Sequence, residues 1–279
     1  MEQVSCPLCG ADDYADLWSK AGAQYVRCRS CTLVYESPRL TESELKAFYS
    51  DQAYFVHAGG EDPVSGYVDY FAQCTPQLQH EYFEIVERHA NVRRGTYLDV
   101  GCGTGGVVGY AAEKGWDACG QEISSWAAAV GKKAGLTIIE SSLSEAAIAS
   151  DSFDAVSMFD VLEHLPSPIE YLREIYRILK PGGVLVVETP NIDGVFALHF
   201  YRERSDLVKP RAHICLYSPR SARRLFSTVP FRDVHVKTFP YCRRFTPGYF
   251  KGLVASFVLP GRLPQQLTFN ESLRIICRK

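Results

Sequence analysis

Tyr97-Leu98-Asp99-Val100-Gly101-Cys102-Gly103-Thr104-Gly105-Gly106 runs from a short apolar strand into a glycine-dense turn. A helix over 107–114 is expected to follow it. Glycines at 101, 103 and 105 let the backbone turn tightly and let a ligand lie against bare main chain.

Gly101-x-Gly103-x-x-Gly106 satisfies the dinucleotide fingerprint, with Glu122 near the spacing that grips a ribose. Two cofactor classes therefore compete for the loop, one NAD-like and one an adenosine–sulfonium. Asp99 favours the second. A carboxylate two residues before the first glycine would repel a pyrophosphate, whereas it suits a ligand end with an ammonium group and a positive sulfur.

The chain has 279 residues, enough for one well-buried α/β domain plus an accessory piece. Apolar content of 46% and charged content of 22% are ordinary for a globular protein. No apolar run approaches the ~20 residues of a membrane span. The first residues lack the basic and apolar regions of a signal peptide, so a cytoplasmic location is expected. Charge is unevenly spread. From Ile192 onward sixteen Lys or Arg stand against five Asp or Glu, a balance of +11, and the rest carries −13. Two surfaces of opposite sign satisfy this count, as does a basic rim that attracts an anionic substrate.

Cys6-Pro-Leu-Cys9 and Cys28-Arg-Ser-Cys31 have the spacing of a four-thiolate zinc site. Segments 14–18 and 25–27 read as the short strands of a zinc ribbon, and four thiolates leave no open position for catalysis. An unmetallated or redox pair of motifs is the alternative. Arg27 and Arg29 flank the ribbon, but Asp12, Asp13, Asp16 and Glu36 do too, so nucleic-acid binding is the weaker reading.

Thr41 and Glu44 have capping-box spacing and open a short helix to about Tyr49. A helical pattern over 67–89 follows, with an interruption expected near Pro76. This arm, 38–91, is rich in aromatics (Tyr49, Tyr54, Phe55, Tyr67, Tyr70, Phe71) that suit a core or a lid over the ligand. From Thr96 strand and helix alternate, which implies a doubly wound parallel sheet. Strand cores are expected at 97–100, 117–122, 136–140, 153–159 and 184–188. Helices are expected at 127–133 and 169–179, the latter stopped by Lys180-Pro-Gly-Gly183. A further helix is read from Ser218, and final strands at 231–239 and 273–278. The insertion between those strands, about 240–270, carries Arg243 and Arg244 and is where substrate contacts are expected.

Leu98-Asp-Val-Gly-Cys-Gly-Thr-Gly105, Cys119-Gly-Gln-Glu-Ile-Ser124, Phe153-Asp-Ala-Val-Ser-Met-Phe-Asp-Val-Leu-Glu-His-Leu165 and Leu179-Lys-Pro-Gly-Gly-Val-Leu-Val-Val-Glu-Thr-Pro-Asn191 follow in order. This series resembles the class I S-adenosylmethionine-dependent methyltransferases over roughly 92–192. The double CxxC and aromatic arm resemble a bacterial subgroup that acts on small molecules. The resemblance implies a Rossmann-like methyltransferase domain over 92–279, after a ribbon at 1–37 and the arm. It implies that Asp99, Gly101, Cys102, Gly103 and Gly105 hold the methionine end of the cofactor. Glu122 would take the ribose hydroxyls, Ile123 would pack on the adenine, and Ser142 and Leu143 would edge its pocket. Phe159 and Asp160 would line the methionine portion. Ser125 stands where many relatives have proline, which affects only the local turn.

A sulfonium methyl is already activated, so positioning an in-line nucleophile supplies much of the rate. An oxygen, nitrogen or carbon nucleophile also needs a base, and His suits neutral pH. His164, after the fourth strand, and His213, in a basic stretch, compete for that role. Each would otherwise fix a loop. Asp160-x-x-Glu163-His164 resembles the acidic–histidine cluster of the ubiquinone-pathway O-methyltransferases, where a divalent metal has a proposed role. Helical spacing would be needed to gather the three groups, and the base or loop anchor is preferred. The expectation is methyl transfer to a small, anionic acceptor, nucleotide-linked or carboxylated. The rival is a zinc-ribbon nucleic-acid module with a nucleotide-sensing Rossmann domain.

Overall fold

The structure, a computed structural model, describes residues 1–50, 67–194, 208–239 and 272–279. The chain opens with β1 (Tyr14–Lys20), β2 (Ala23–Cys28), β3 (Val34–Glu36), α1 (Glu42–Ser50) and α2 (Tyr67–His89). Then come β4 (Thr96–Val100), α3 (Gly106–Glu113), β5 (Asp117–Glu122), α4 (Ser125–Lys133), β6 (Ile138–Glu140) and β7 (Phe153–Phe159). A 3-10 turn (Leu162–His164) leads to α5 (Pro168–Ile178), β8 (Leu179–Pro190), β9 (Cys215–Leu216), α6 (Pro219–Phe226), β10 (Arg232–Phe239) and β11 (Ser272–Arg278). Among the described residues no helix is long and apolar enough to cross a membrane.

Seven strands form the central sheet, in the order β10-β11-β8-β7-β4-β5-β6. Neighbours from β8 to β6 pair in parallel, while β11 runs antiparallel to both β8 and β10. Strand order reverses at β4, with β5 on one side and β7 on the other, and such a switch point opens a crevice at the carboxyl ends of the strands. The expected doubly wound α/β sheet is therefore present.

Side chains alternate across this sheet with the two-residue period of a strand. Tyr97, Ala155, Val184 and Ile276 pack on one face with Phe83 of α2, Val107 of α3 and Trp116. Leu98, Val156, Leu185 and Ile275 pack on the other with Leu172 and Ile175 of α5. Phe83 is fully buried, with its ring 5.1 Å from that of Tyr97 and 5.5 Å from that of Trp116. Truncating it to alanine would cost about 3–5 kcal/mol. The second half of the aromatic arm is thus core, fixed over the sheet.

Boundaries differ from expectation in three places. β8 starts at Leu179 and runs through the Pro181-Gly182-Gly183 turn, with a register shift against β7 between Phe153 and Ala155. β6 starts two residues late, because the Leu136 N–H still bonds the Gly131 carbonyl at the end of α4. α2 runs through Pro76 as one helix, where the missing proline N–H predicts a break. The expected insertion at about 240–270 lies outside the described residues, as do Tyr54, Phe55, Arg243 and Arg244.

The N-terminal strands do not stand alone. β1, β2 and β3 form a sheet whose fourth strand is β9, with Val34 opposite Leu216 and Tyr35 opposite Cys215. The cysteine-bearing unit is therefore hydrogen-bonded to a segment some 180 residues downstream.

Candidate active site

The thiols of Cys6, Cys9, Cys28 and Cys31 all lie within 4.8 Å of one another. Cys6 Sγ is 3.3 Å from Cys31 Sγ, and Cys9 Sγ is 3.5 Å from Cys28 Sγ. A tetrahedron with metal–sulfur bonds of about 2.3 Å has edges of about 3.8 Å, so the four sulfurs are gathered as one zinc ion requires. Gly10, at φ +71°, turns the first knuckle, and its N–H bonds the Cys6 carbonyl at 2.8 Å. The Cys31 N–H points at Cys28 Sγ at 3.5 Å.

A cavity opens at the carboxyl ends of β4, β5 and β7 and is walled by α1. Gly101 and Gly103 form its floor, Gln121, Glu122 and Ile123 one side, and Ser142 and Glu145 its edge. Glu122 is 6% exposed. Its Oε2 accepts the Gly103 N–H at 2.9 Å and its Oε1 accepts the Ser124 N–H at 2.8 Å. Burial raises its pKa against these two bonds. Each oxygen keeps a further acceptor site, so a pair of hydroxyls matches it. Gly103 lies at φ +57° with nothing within 4 Å of where a Cβ would stand, a bare stretch of backbone.

Asp160, Val161, His164, Leu165, Pro166 and Tyr171 also line the cavity. Asp160 follows β7 at φ +53°, a left-handed conformation that aspartate tolerates better than most residues. Its Oδ2 accepts the Tyr82 hydroxyl at 3.4 Å, and the Tyr82 ring stacks on Phe159 with centroids 4.1 Å apart. The protein around it pushes the Asp160 carboxyl up to about 6, against the opposing charge of Lys209. Burial pushes His164 down to about 4, so the ring is neutral at pH 7.

Glu163 lies behind His164 and is 1% exposed. Its Oε2 accepts the Thr189 hydroxyl at 2.8 Å, while Oε1 has no hydrogen-bond partner and stands 4.0 Å from His164 Nε2. Burial, with the charge of Asp160 adding to it, pushes Glu163 up to about 8. The segment makes only a single 3-10 turn, and Asp160 stays outside it. The three groups that gather within 4.8 Å are Glu163, His164 and His213.

Of the residues singled out in the sequence, Gly101, Gly103, Glu122, Ile123, Ser142, Asp160 and His164 line the cavity. Asp99, Cys102, Gly105, Leu143, Phe159 and His213 are not among its lining residues. Asp99 shares the Tyr97 face of β4 and is 3% exposed, with Oδ1 accepting the Ser157 hydroxyl at 2.5 Å. His213 is buried, and its ring meets that of His164 edge-on at 4.8 Å. Glu42, Leu45, Lys46 and Tyr49 of α1 complete the wall, and Lys46 Nζ reaches Glu145 at 3.8 Å. From sequence, Tyr49 is expected in a core or in a lid over the ligand, and Glu42, Leu45 and Lys46 are given no place. The capping box located α1, but its docking against the sheet is a long-range contact that local pattern does not carry.

Residues 75–236 match the family model described as a methyltransferase domain. The chain is 30% identical over 115 residues to a ubiquinone biosynthesis O-methyltransferase of Methylococcus capsulatus, covering 39% of this chain and 48% of that one. It is 36% identical over 100 residues to a protein of the same name from Roseobacter denitrificans, covering 34% and 40%. The chain thus spans about half the length, or less, of the curated relatives it matches. Among solved structures, Haemonchus contortus phosphoethanolamine N-methyltransferase 2 in complex with S-adenosyl-L-methionine aligns with a TM-score of 0.56 at 17% identity, over 88% of this chain and 61% of that one. A SAM-dependent methyltransferase from Archaeoglobus fulgidus aligns at 0.54 and 17%, over 76% and 100%. The motif series, the sheet order and the family match agree, and the chain belongs to the methyltransferase-domain family as a class I S-adenosylmethionine-dependent methyltransferase.

Proposed function

We propose that this methyltransferase transfers the methyl group of S-adenosylmethionine to a nucleophilic atom of a small anionic molecule. The observation that carries the reading is that Glu122 and His164 line one and the same cavity. Glu122 takes the ribose hydroxyls, Ile123 packs on the adenine, and Ser142 and Leu143 edge its pocket. Gly103 supports the methionine end on bare backbone, with Gly101, Cys102 and Gly105 shaping the turn around it. Asp160, beside Phe159, faces the ammonium, and Asp99 acts from behind the turn. The acceptor enters on the His164 side. Its lone pair attacks the methyl carbon, the carbon–sulfur bond breaks, and the bonding electrons go to sulfur, leaving S-adenosylhomocysteine. His164 Nε2 takes the acceptor's proton, and His213 braces the ring.

Relatives named O-methyltransferases favour a hydroxyl as the nucleophile. The excess of Lys and Arg from Ile192 onward, +11, favours an acceptor carrying a carboxylate or a nucleotide phosphate. Cys6, Cys9, Cys28 and Cys31 hold one structural zinc ion, and thiolate ligands suit the reducing cytoplasm. Incubating the protein with a cell extract and methyl-labelled S-adenosylmethionine, followed by mass spectrometry, tests the acceptor class. A labelled anionic metabolite is expected. Label confined to nucleic acid, or to a cationic product, would overturn it.

A further inference from the structure

The loop from Arg211 to Ile214 is held residue by residue from the N-terminal unit. The Arg211 N–H donates to Glu36 Oε2 at 2.9 Å, and the Ala212 carbonyl accepts the Tyr49 hydroxyl at 3.0 Å. The His213 carbonyl accepts the Tyr25 hydroxyl at 3.2 Å, and the Ile214 carbonyl accepts the Glu36 N–H at 2.9 Å. Four consecutive residues thus each spend a backbone group on residues 25–49. Arg211 is held at φ +68°, a conformation that surrounding contacts must enforce in a non-glycine residue.

One of these bonds reaches the cavity. The Ala212 carbonyl also accepts from His164 Nδ1, at 2.8 Å, and the Tyr49 hydroxyl oxygen lies 3.0 Å from the same nitrogen. The three atoms close a triangle. A carbonyl oxygen can only accept, so a ring nitrogen 2.8 Å from it must carry a hydrogen. Otherwise two lone pairs would face each other. The Tyr49 hydroxyl sends its proton to the carbonyl and turns a lone pair towards Nδ1–H. Because the ring is neutral, a hydrogen fixed on Nδ1 leaves Nε2 with its lone pair.

We propose that Tyr49 is a positioning residue for methyl transfer: with the Ala212 carbonyl it holds His164 as the Nδ1–H tautomer, so that Nε2 is the nitrogen that accepts the proton. The proposal rests on the reading of His164 as the base. The groups that face the ring are Tyr49 from α1, Asp160 and Glu163 from its own segment, and Lys209 and His213 from the loop. The Asp160 backbone favours a proton on the ring, against the ring's burial and the charge of Lys209. Packing is a separate matter, since the Tyr49 ring meets His164 edge-on at 5.7 Å and a phenylalanine would keep that contact.

The test is a long-range proton–nitrogen NMR spectrum of the full chain with labelled histidine, recorded at neutral pH for wild type, Tyr49→Phe and His164→Gln. The glutamine variant assigns His164 among the seven histidines. Wild type is expected to show Nδ1 protonated and Nε2 unprotonated, and Tyr49→Phe, in which the Ala212 carbonyl loses the hydroxyl that anchors it, to shift both signals towards the averaged positions of mixed tautomers. An Nε2–H tautomer in wild type, or a Tyr49→Phe spectrum in which the His164 pair does not move, would overturn the proposal. S-Adenosylhomocysteine titrations of the same samples separate the two readings. Absence of binding in wild type would refute methyl transfer while leaving the tautomer readable.

Discussion

Asp99 Oδ1 accepts the Ser157 hydroxyl at 2.5 Å, and Ser157 is itself 2.5 Å from the Tyr97 hydroxyl. The carboxylate before the glycine turn is therefore engaged between neighbouring strands, while Asp160, on the next strand, opens into the cavity. Burial pushes Asp99 up to about 7, and partial desolvation by the surrounding protein pushes Asp160 up to about 6. A positively charged ligand end arriving near either group would pull a proton off it.

That gives a signed prediction. An ammonium beside Asp160 lowers a raised pKa, so S-adenosylhomocysteine binding should release a proton near pH 6 and release little well above pH 7. Calorimetry in buffers of different ionisation enthalpy measures it. Asp160→Asn should abolish the release and weaken binding roughly tenfold, as expected for one charge-assisted bond. Methylthioadenosine, which lacks the amino-acid end, should show neither effect. Release that survives Asp160→Asn and vanishes in Asp99→Asn would transfer the role to Asp99.

His164 contributes to stability with the opposite dependence. Its folded pKa of about 4 lies below the unfolded value of 6.5, so between these limits the unfolded chain binds more protons. Stability from this residue rises with pH across that window and is lost on acidification, whereas Asp99 and Asp160 act the other way. Urea unfolding of His164→Gln at pH 5 and pH 7 should show less acid sensitivity than wild type. Equal sensitivity would mean that the ring is not held neutral.

Gly103 separates ligand space from fold. A Cβ there meets no atom within 4 Å, so Gly103→Ala incurs only the left-handed strain, about 1–2 kcal/mol. The melting temperature should fall by only a few degrees. S-Adenosylhomocysteine affinity should fall more than tenfold, because the methyl occupies the cofactor's place. A variant that binds normally would move the cofactor off this turn.

The cysteine cluster should carry one zinc ion per chain by metal analysis. Cys28→Ser should lose it and lower the melting temperature by roughly 5 °C or more, since ~2 kcal/mol shifts a chain of this size by that order. Cofactor affinity should stay within about twofold, because Glu122 and the glycine turn rest on β4 and β5 rather than on β3. Full metal content in Cys28→Ser would remove that residue from the site.

The parallel strands were legible because buried strands read as short apolar runs between turn signals, as in Val184 to Val187. The direction in which Asp99 faces was not. Both faces of β4 are covered, so apolar residues on either side of it give no sign of which face is which. β9 left no trace either, since Cys215 and Leu216 are too few to show a period and their partners, Val34 and Tyr35, are remote in sequence. The same remoteness hid the triangle of Tyr49, His164 and Ala212. Glu122 was legible because its spacing from the turn follows from a local strand–turn–helix unit, which the sequence spells out continuously.

Calorimetric titration of the full chain with S-adenosylhomocysteine is the most direct test of the account. Single-site binding to wild type, loss of binding in Glu122→Ala, and no heat with NAD are expected. Binding of NAD by wild type, with none of S-adenosylhomocysteine, would contradict it.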